Sequence, residues 1–287
     1  MSWYSRYLQV YEKSFDEVAF AGIISEVCSN LKQLQSTTPL VTVSIIAYNE
    51  EKHLLACLWA LSEMKTRYPI EIIGVNNDSQ DRTADIYSAV GLPFYTELHH
   101  SCGHARLCGL MNARGKYHIN IDADTLYPPT YVDAMIEVME KNPDVMGVSA
   151  TWGYYPDKQH SRIGLYLYTL SRDCYLWLLS FKRPELSVRG LVFAYRTEEA
   201  RKVGIRTHII RGEDGALAFG LREYGRLAFL RNSKVRAVTG YGTVGGGSLS
   251  RSFWKRVLQA FTKIKHVFTT AKEYKDCLLY TSPSPRD

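Results

Sequence analysis

No Cys-x-x-Cys pair occurs in the 287 residues, so neither a zinc ribbon nor a thioredoxin-type site is expected. The six cysteines (Cys28, Cys57, Cys102, Cys108, Cys174 and Cys277) are scattered through apolar or mixed surroundings. They read as ordinary buried thiols in a reducing compartment. Long hydrophobic runs are missing too. The longest candidate, residues 164–181, is cut by Arg172 and Asp173, and a bilayer span needs about 20 predominantly apolar residues. The opening stretch, MSWYSRYLQVYEKSFDE, carries charge where a secretory leader needs an apolar core, which points to a cytoplasmic protein. Charge of one sign is scarce: 35 Lys and Arg against 29 Asp and Glu leave a net charge of +6, short of a nucleic-acid polycation. What remains is a globular composition, 46% apolar and 22% charged, which excludes disorder, collagen and coiled coil. The length suffices for one large α/β domain or two small ones.

Residues 1–37 look helical and aromatic, with no obvious chemistry. A continuous, β-branched run at 40–47 then reads as a strand covered on both faces. Residues 50–64 follow as an amphipathic helix with Leu54, Leu55, Leu58 and Leu61 on one stripe. The unit repeats as a strand at 70–75, a polar loop at 76–81 and a helix at 82–89 that Ser79 or Asp81 could cap. Tyr117–Ile121 is a further strand, with Ile119 and Ile121 facing one way and His118 and Asn120 the other. Val132, Met135, Ile136 and Met139 mark the next helix. This alternation predicts an α/β fold with a doubly wound, mostly parallel sheet flanked by helices. Ligands gather beyond the carboxyl ends of the strands in such sheets.

Three polar clusters sit just after those strands: Tyr48-Asn49-Glu50, Asn76-Asn77-Asp78 and Asp122-Ala123-Asp124. In a parallel sheet all three converge on one edge. Two carboxylates one residue apart at a strand end can reach a single hard cation, Mg²⁺ or Mn²⁺, alongside substrate phosphates. The same pair can also form a turn before Pro128-Pro129. Glu213-Asp214 likewise has two compatible readings, an acidic helix start and a catalytic pair.

The order of these motifs resembles the family 2 glycosyltransferases, which have the GT-A fold. Val41 to Glu51 (VTVSIIAYNEE) is similar to their opening strand and loop, and Val75 to Thr83 (VNNDSQDRT) to their second loop. Gly103 to Arg106, Asn112 to Gly115, Tyr117 and the Asp122–Asp124 DxD follow in register. Arg211 to Asp214, with Leu217, Leu221, Arg222 and Gly225, completes the pattern over roughly residues 40–230. The resemblance implies inverting transfer of a sugar from a nucleotide-diphospho-sugar donor to an acceptor hydroxyl, in cell-surface polysaccharide or glycolipid synthesis. It implies that Asp124 holds a divalent cation, Mn²⁺ or Mg²⁺, and the diphosphate, and that Asp122 reaches the ribose or assists the metal. By the same resemblance Ala47, Tyr48 and Glu50 border the nucleoside, Asn77 reads the base edge and Arg106 lies near the base and diphosphate. Asp214, with Glu213 beside it, is the general base. Two positions depart from the pattern: Asn76-Asn77 replaces a double Asp, and Leu107 stands where Asn is common.

Other signals are weaker. Gly240 to Gly245 spells GxGxxG but comes near the C-terminus, where a loop closing over the donor is the simpler expectation. His99-His100 and His104 have no metal-ligand spacing and read as loop and helix surface. Arg189-Gly190 precedes a buried run at 191–195 that could line the acceptor site or be a plain strand. Residues 251–274 combine an apolar face (Phe253, Trp254, Val257, Leu258, Phe261, Ile264, Phe268) with Lys255, Arg256, Lys263, Lys265 and Lys272. Such a helix can lie on an anionic membrane surface, bringing the enzyme peripherally to a lipid-linked or saccharide acceptor, or pack on the domain. The expected organisation is thus an N-terminal helical extension at 1–39, the GT-A domain at 40–240, a Gly-rich loop and basic helix at 241–276, and an extraneous tail at 277–287. Two rival functions remain: a phosphohydrolase using Asp122 and Asp124, whose motif normally opens the fold, and a non-catalytic nucleotide-sugar-binding module.

Overall fold

The computed structural model describes residues 2–155, 162–209 and 212–240. Arg211, residues 241–245 of the Gly-rich run, the basic stretch 251–274 and the tail 277–287 lie outside the described residues.

The N-terminal segment forms a 3-10 turn at Tyr7–Gln9 and helix α1 (Ala21–Leu34). Strand β1 (Val41–Ala47) leads to α2 (Leu54–Ser62), β2 (Ile70–Asn76), α3 (Thr83–Ala89), β3 (Phe94–Thr96), α4 (Cys102–Asn112) and β4 (Tyr117–Asp122). The second half comprises β5 (Thr125–Leu126), α5 (Tyr131–Lys141), β6 (Val145–Ala150), β7 (Trp152–Tyr154), α6 (Arg162–Lys182), β8 (Phe193–Arg196), α7 (Thr197–Val203), α8 (Glu213–Leu221), β9 (Arg226–Leu230) and β10 (Ala237–Thr239). Seven strands form one sheet in the order β3-β2-β1-β4-β8-β6-β9, and β5-β10-β7 form a second, smaller one. All pairings in the large sheet are parallel except those of β8, which runs antiparallel to both β4 and β6.

β1 is buried along its length, as expected of a β-branched run with helices on both faces. Register then does the positioning. Ala47 pairs with Asn76 and Ile46 with Asp122, so the three polar clusters leave the sheet side by side. Tyr117, Ile119 and Ile121 join the core beneath α1, α2 and α5. His118 and Asn120 face the other way, where Tyr195 stacks on His118 with ring centroids 5.0 Å apart and donates from its hydroxyl to Asn120 Oδ1.

Two expectations are corrected. Helix α2 is not amphipathic in context: every residue from Leu54 to Ser62 is buried, because α1 and the N-terminal turn cover its outer side. Tyr7 packs edge-on against Trp59, and the Arg6 guanidinium lies 4.7 Å over the same ring. The cysteines are not uniformly buried either. Cys57 is, but Cys102 and Cys174 are exposed, and all five described cysteines are free thiols. At α3, Asp81 accepts from the Thr83 backbone N–H, while Ser79 instead accepts from Asn49.

Candidate functional site

The loops after β1 and β2 are knitted together by short contacts. The N–H of Asn49 donates to Ser79 Oγ, that of Glu50 to Thr83 Oγ1 and that of Glu51 to Asp81 Oδ2, while the Gln80 N–H donates to Asn49 Oδ1. Asn49 and Asp78 hold left-handed backbone angles, conformations that short polar side chains tolerate best. The result is a rigid ledge beyond the sheet. On it Ala47 is buried, Tyr48 is half-buried, and the buried Glu50 carboxylate lies 2.6 Å from His53 Nδ1. His100 is exposed, as expected of loop surface, and stands edge-on to the Tyr48 ring with centroids 4.1 Å apart.

Asn77 is buried, and its amide nitrogen donates to the carbonyls of Glu97 and His99 at 2.9 and 2.8 Å. Both amide hydrogens therefore fix the following loop, leaving the amide oxygen as the group able to meet a ligand. A double Asp could not hold these two carbonyls.

At the end of β4 the Asp122 side chain accepts from Arg106 Nη2 at 3.0 Å. The same guanidinium, on the buried face of α4, lies 3.1 Å from Asp214 Oδ1 and 3.5 Å from Glu213 Oε1 through its Nε. Asp214 enters from the first turn of α8, whose start is set by Gly212 at a φ of 100°, a left-handed angle that favours glycine. Arg106 thus joins the DxD strand end to the Glu-Asp helix. Gly190 completes the enclosure: a Cβ there would overlap both the Arg106 guanidinium and the Asp214 carboxylate.

Burial and crowding set the charge states. Burial pushes the Asp214 carboxyl up to about 7, with Glu213 adding to the rise and Arg106 and the Gly190 backbone opposing it. Burial also raises Asp122, Arg106 works against it, and the negative charges of Asp124 and Asp214 add to the rise. Burial opposes the Arg106 charge as well, but the attraction of Asp214, Asp122 and Glu213 outweighs it and holds the guanidinium protonated.

Asp124 is buried, and its Oδ1 accepts from Thr125 Oγ1 at 2.8 Å. Its backbone carbonyl accepts from Tyr11 Oη at 2.7 Å and from Thr239 Oγ1 at 3.3 Å. Tyr11 also packs its ring 4.8 Å from that of His53. The N-terminal extension and β10 therefore grip the DxD turn, a role with no local signal in the sequence. Arg189 donates to the carbonyls of Leu186 and Val188 in its own turn.

A divalent cation fits this donor set. Asp122, Glu213 and Asp214 face one buried guanidinium, and Asp122 and Asp124 lie on one turn where two carboxylates could take up a hard cation. Among the described residues no three His, Cys, Asp or Glu side chains converge as a complete cage. A cation here would depend on ligands from a bound phosphate as well.

The family model described as glycosyl transferase family 2 matches residues 42–195. An uncharacterized glycosyltransferase of Rickettsia prowazekii (strain Madrid E) is 32% identical over 129 residues, covering 43% of this chain and 40% of that one. The putative glycosyltransferase EpsH of Bacillus subtilis (strain 168) is 31% identical over 114 residues, 38% of this chain and 33% of its own. The chain thus spans well under half the length of these curated relatives. Among solved structures, S. aureus TarS 1-349 in complex with UDP-GlcNAc aligns with a TM-score of 0.52 at 16% identity, covering 73% of this chain and 60% of TarS. Mycobacterium tuberculosis glucosyl-3-phosphoglycerate synthase, in complex with Mn²⁺, UDP-glucose and phosphoglyceric acid, aligns with a TM-score of 0.51 at 16% identity, covering 87% of this chain and 85% of that one. The architecture is the GT-A fold.

Proposed function

The chain belongs to glycosyl transferase family 2, and from that premise we propose that it moves a glycosyl group from a nucleotide-diphospho-sugar to an acceptor hydroxyl with inversion at the anomeric carbon. The observation that carries this reading is the single buried guanidinium of Arg106 between Asp122 at the strand end and Asp214 on α8. Donor-side and acceptor-side carboxylates share one cleft.

On this reading the nucleoside lies along the ledge of Ala47, Tyr48 and Glu50, with the Asn77 amide oxygen facing the base. Asp122 and Asp124 would hold a divalent cation, which when bound would supply positive charge against the diphosphate leaving group. Asp214 takes the proton from the acceptor hydroxyl. The hydroxyl oxygen forms its bond to the anomeric carbon as the bond to the diphosphate breaks, and the electron pair leaves on the phosphate oxygen. A carboxyl raised to about 7 is a stronger base than an ordinary aspartate yet still half ionised near neutrality, which suits general-base work. Arg106 keeps the Asp214 carboxylate oriented, and Glu213 raises its basicity by like charge.

The uridine donors carried by the two structural neighbours are the first to test. The acceptor we favour is a saccharide or lipid-linked hydroxyl, met at the cytoplasmic face of a membrane. No described helix is long and apolar enough to cross one. The phosphohydrolase alternative loses its footing because Asp122 ends β4, in the middle of the sheet order, rather than the first strand. The deciding experiment assays UDP release from UDP-GlcNAc and UDP-glucose with Mn²⁺ or Mg²⁺. Metal-dependent release that disappears in Asp124→Ala supports a transferase. Donor binding without turnover, indifferent to Asp214→Asn, would leave only a binding module.

A further inference from the structure

Helix α6 is apolar on both its buried and its exposed face. Its two central charges point into the protein: Arg172 stacks 3.8 Å over the Trp152 ring and bonds Asp173 at 2.7 Å, while Asp173 also receives Arg236. Leu165, Tyr168, Leu176 and Leu179 are buried beside them, but the rest of its large apolar residues point outward. Seven of the twelve large hydrophobic side chains exposed among the described residues lie on this helix, from Ile163 through Tyr166, Leu170 and Trp177 to Phe181. They recur every three or four residues and so form one stripe, about 27 Å long at 1.5 Å per residue, with no acidic side chain among the exposed positions.

Cations border the stripe. The Arg231 guanidinium sits 4.8 Å over Trp177. At the far end Phe181 helps to line a cleft of about 360 Å³ that contains Lys182, Arg222 and Arg226. The acidic groups there are Glu185, fully buried and shared by Arg183 and Arg222, and Asp144, paired with Arg226.

We propose that the outer face of α6 is a docking surface for an anionic lipid bilayer, with the apolar stripe seated at the acyl boundary and the basic cleft against phosphate headgroups. A stripe about 27 Å by 10 Å offers roughly 270 Å², well below the roughly 800 Å² per partner that a stable dimer buries. Residues 251–274 of the same chain are themselves rich in lysine and arginine, so they match the stripe but repel its border. An anionic membrane complements both. The proposal stands apart from the transferase reading, because lipid binding is measured with neither donor nor acceptor present.

Exposed Cys174 lies on the stripe and reports on it directly. The full chain is mixed with vesicles of phosphatidylglycerol and phosphatidylcholine, pulsed with a maleimide, and the label on Cys174 is read by peptide mass spectrometry. Labelling is expected to be fast without vesicles and at least about tenfold slower with them. Flotation with the same vesicles is expected to fall at least about tenfold in Leu170→Glu/Phe181→Glu, whose circular dichroism and melting temperature stay those of the unmodified chain, and to weaken with salt or in phosphatidylcholine alone. Slow labelling without vesicles would assign the face to residues 251–274 or a second copy, distinguished by sedimentation, and would overturn the proposal. So would flotation of the folded double variant equal to that of the unmodified chain. If the double variant unfolds, Trp177→Phe decides: the proposal requires it to lose the share of tryptophan quenching caused by brominated lipid, and unchanged quenching rejects it.

Discussion

Residues 41–126 and residues 145–239 bring their carboxylates to the Arg106 guanidinium by different means. The first region carries four parallel strands, β1 to β4, whose loops bond to their neighbours: Asn49 with Ser79, Glu50 with Thr83, Asn77 with the Glu97 and His99 carbonyls. The second inserts an antiparallel strand, β8, between β4 and β6, buries the central charges of α6, and delivers Asp214 on a nine-residue helix. The geometry of the loops after β1 and β2 is therefore fixed by short-range chemistry, whereas Asp214, the proposed base, is placed by parts that meet only after folding. The two halves join along β4 and β8 and through Arg106.

The largest effect is expected at the seam itself. His118, on β4, is buried against Tyr195 of β8, and burial drives its pKa down to about 3 from an ordinary 6.5. The unfolded chain takes up a proton below about 6.5 that the native state refuses until about 3, so stability falls as pH drops through that window. The bound on the loss is about 4–5 kcal/mol. Urea unfolding at pH 7 and pH 4.5 checks this, since His118→Phe is expected to flatten the difference. Next comes Asp214→Asn, which is expected to cut kcat at least about 10³-fold, about 4 kcal/mol, while donor-induced stabilisation stays within a factor of two. A parallel loss of donor binding would show that the halves are not functionally separate. Gly190→Ala follows, at about 10²-fold in kcat for a misplaced base, because its Cβ must displace either Arg106 or Asp214. Steady-state kinetics of the variant against the parent measure it.

How much of this could be read from the residues follows the same division. The β1 run, the DxD strand end and the helix through Val132 and Met139 announce themselves by pattern, because their burial and spacing are local properties. The outward face of α6 was invisible because a mixed apolar helix has the same composition whether its leucines face in or out. Only the partners of Arg172 and Asp173 decide, and they lie on β7 and on the segment entering β10. Helix α2 misled for the converse reason, its outer face being covered by α1 and the N-terminal turn, which lie well upstream in the chain. The Asp122, Asp124, Glu213 and Asp214 positions were legible as motifs. That Arg106 lies among three of them was not, since four residue types in the right order do not specify which side chain turns inward. Gly190 left a trace only as one glycine before a buried run.

The smallest predicted effect is the one that most sharpens the comparison. Tyr11 and Thr239 both lie outside residues 42–195, yet both donate to the Asp124 carbonyl. If the donor side were self-sufficient, their removal would be silent. Tyr11→Phe keeps the ring that packs on His53 and removes one neutral hydrogen bond, a loss of about 0.5–1.5 kcal/mol, and Thr239 remains to satisfy the carbonyl in part. The expected signature is a shift of the DxD turn rather than damage to the base. Stabilisation by UDP with Mn²⁺, read as a melting-temperature shift, weakens about three- to tenfold in apparent affinity, while kcat at saturating donor stays near that of the parent. A fall in kcat with unchanged UDP affinity would place Tyr11 on the acceptor side instead. No change in either would confine donor binding to the locally knitted half, and the N-terminal extension would then serve only to cover α2.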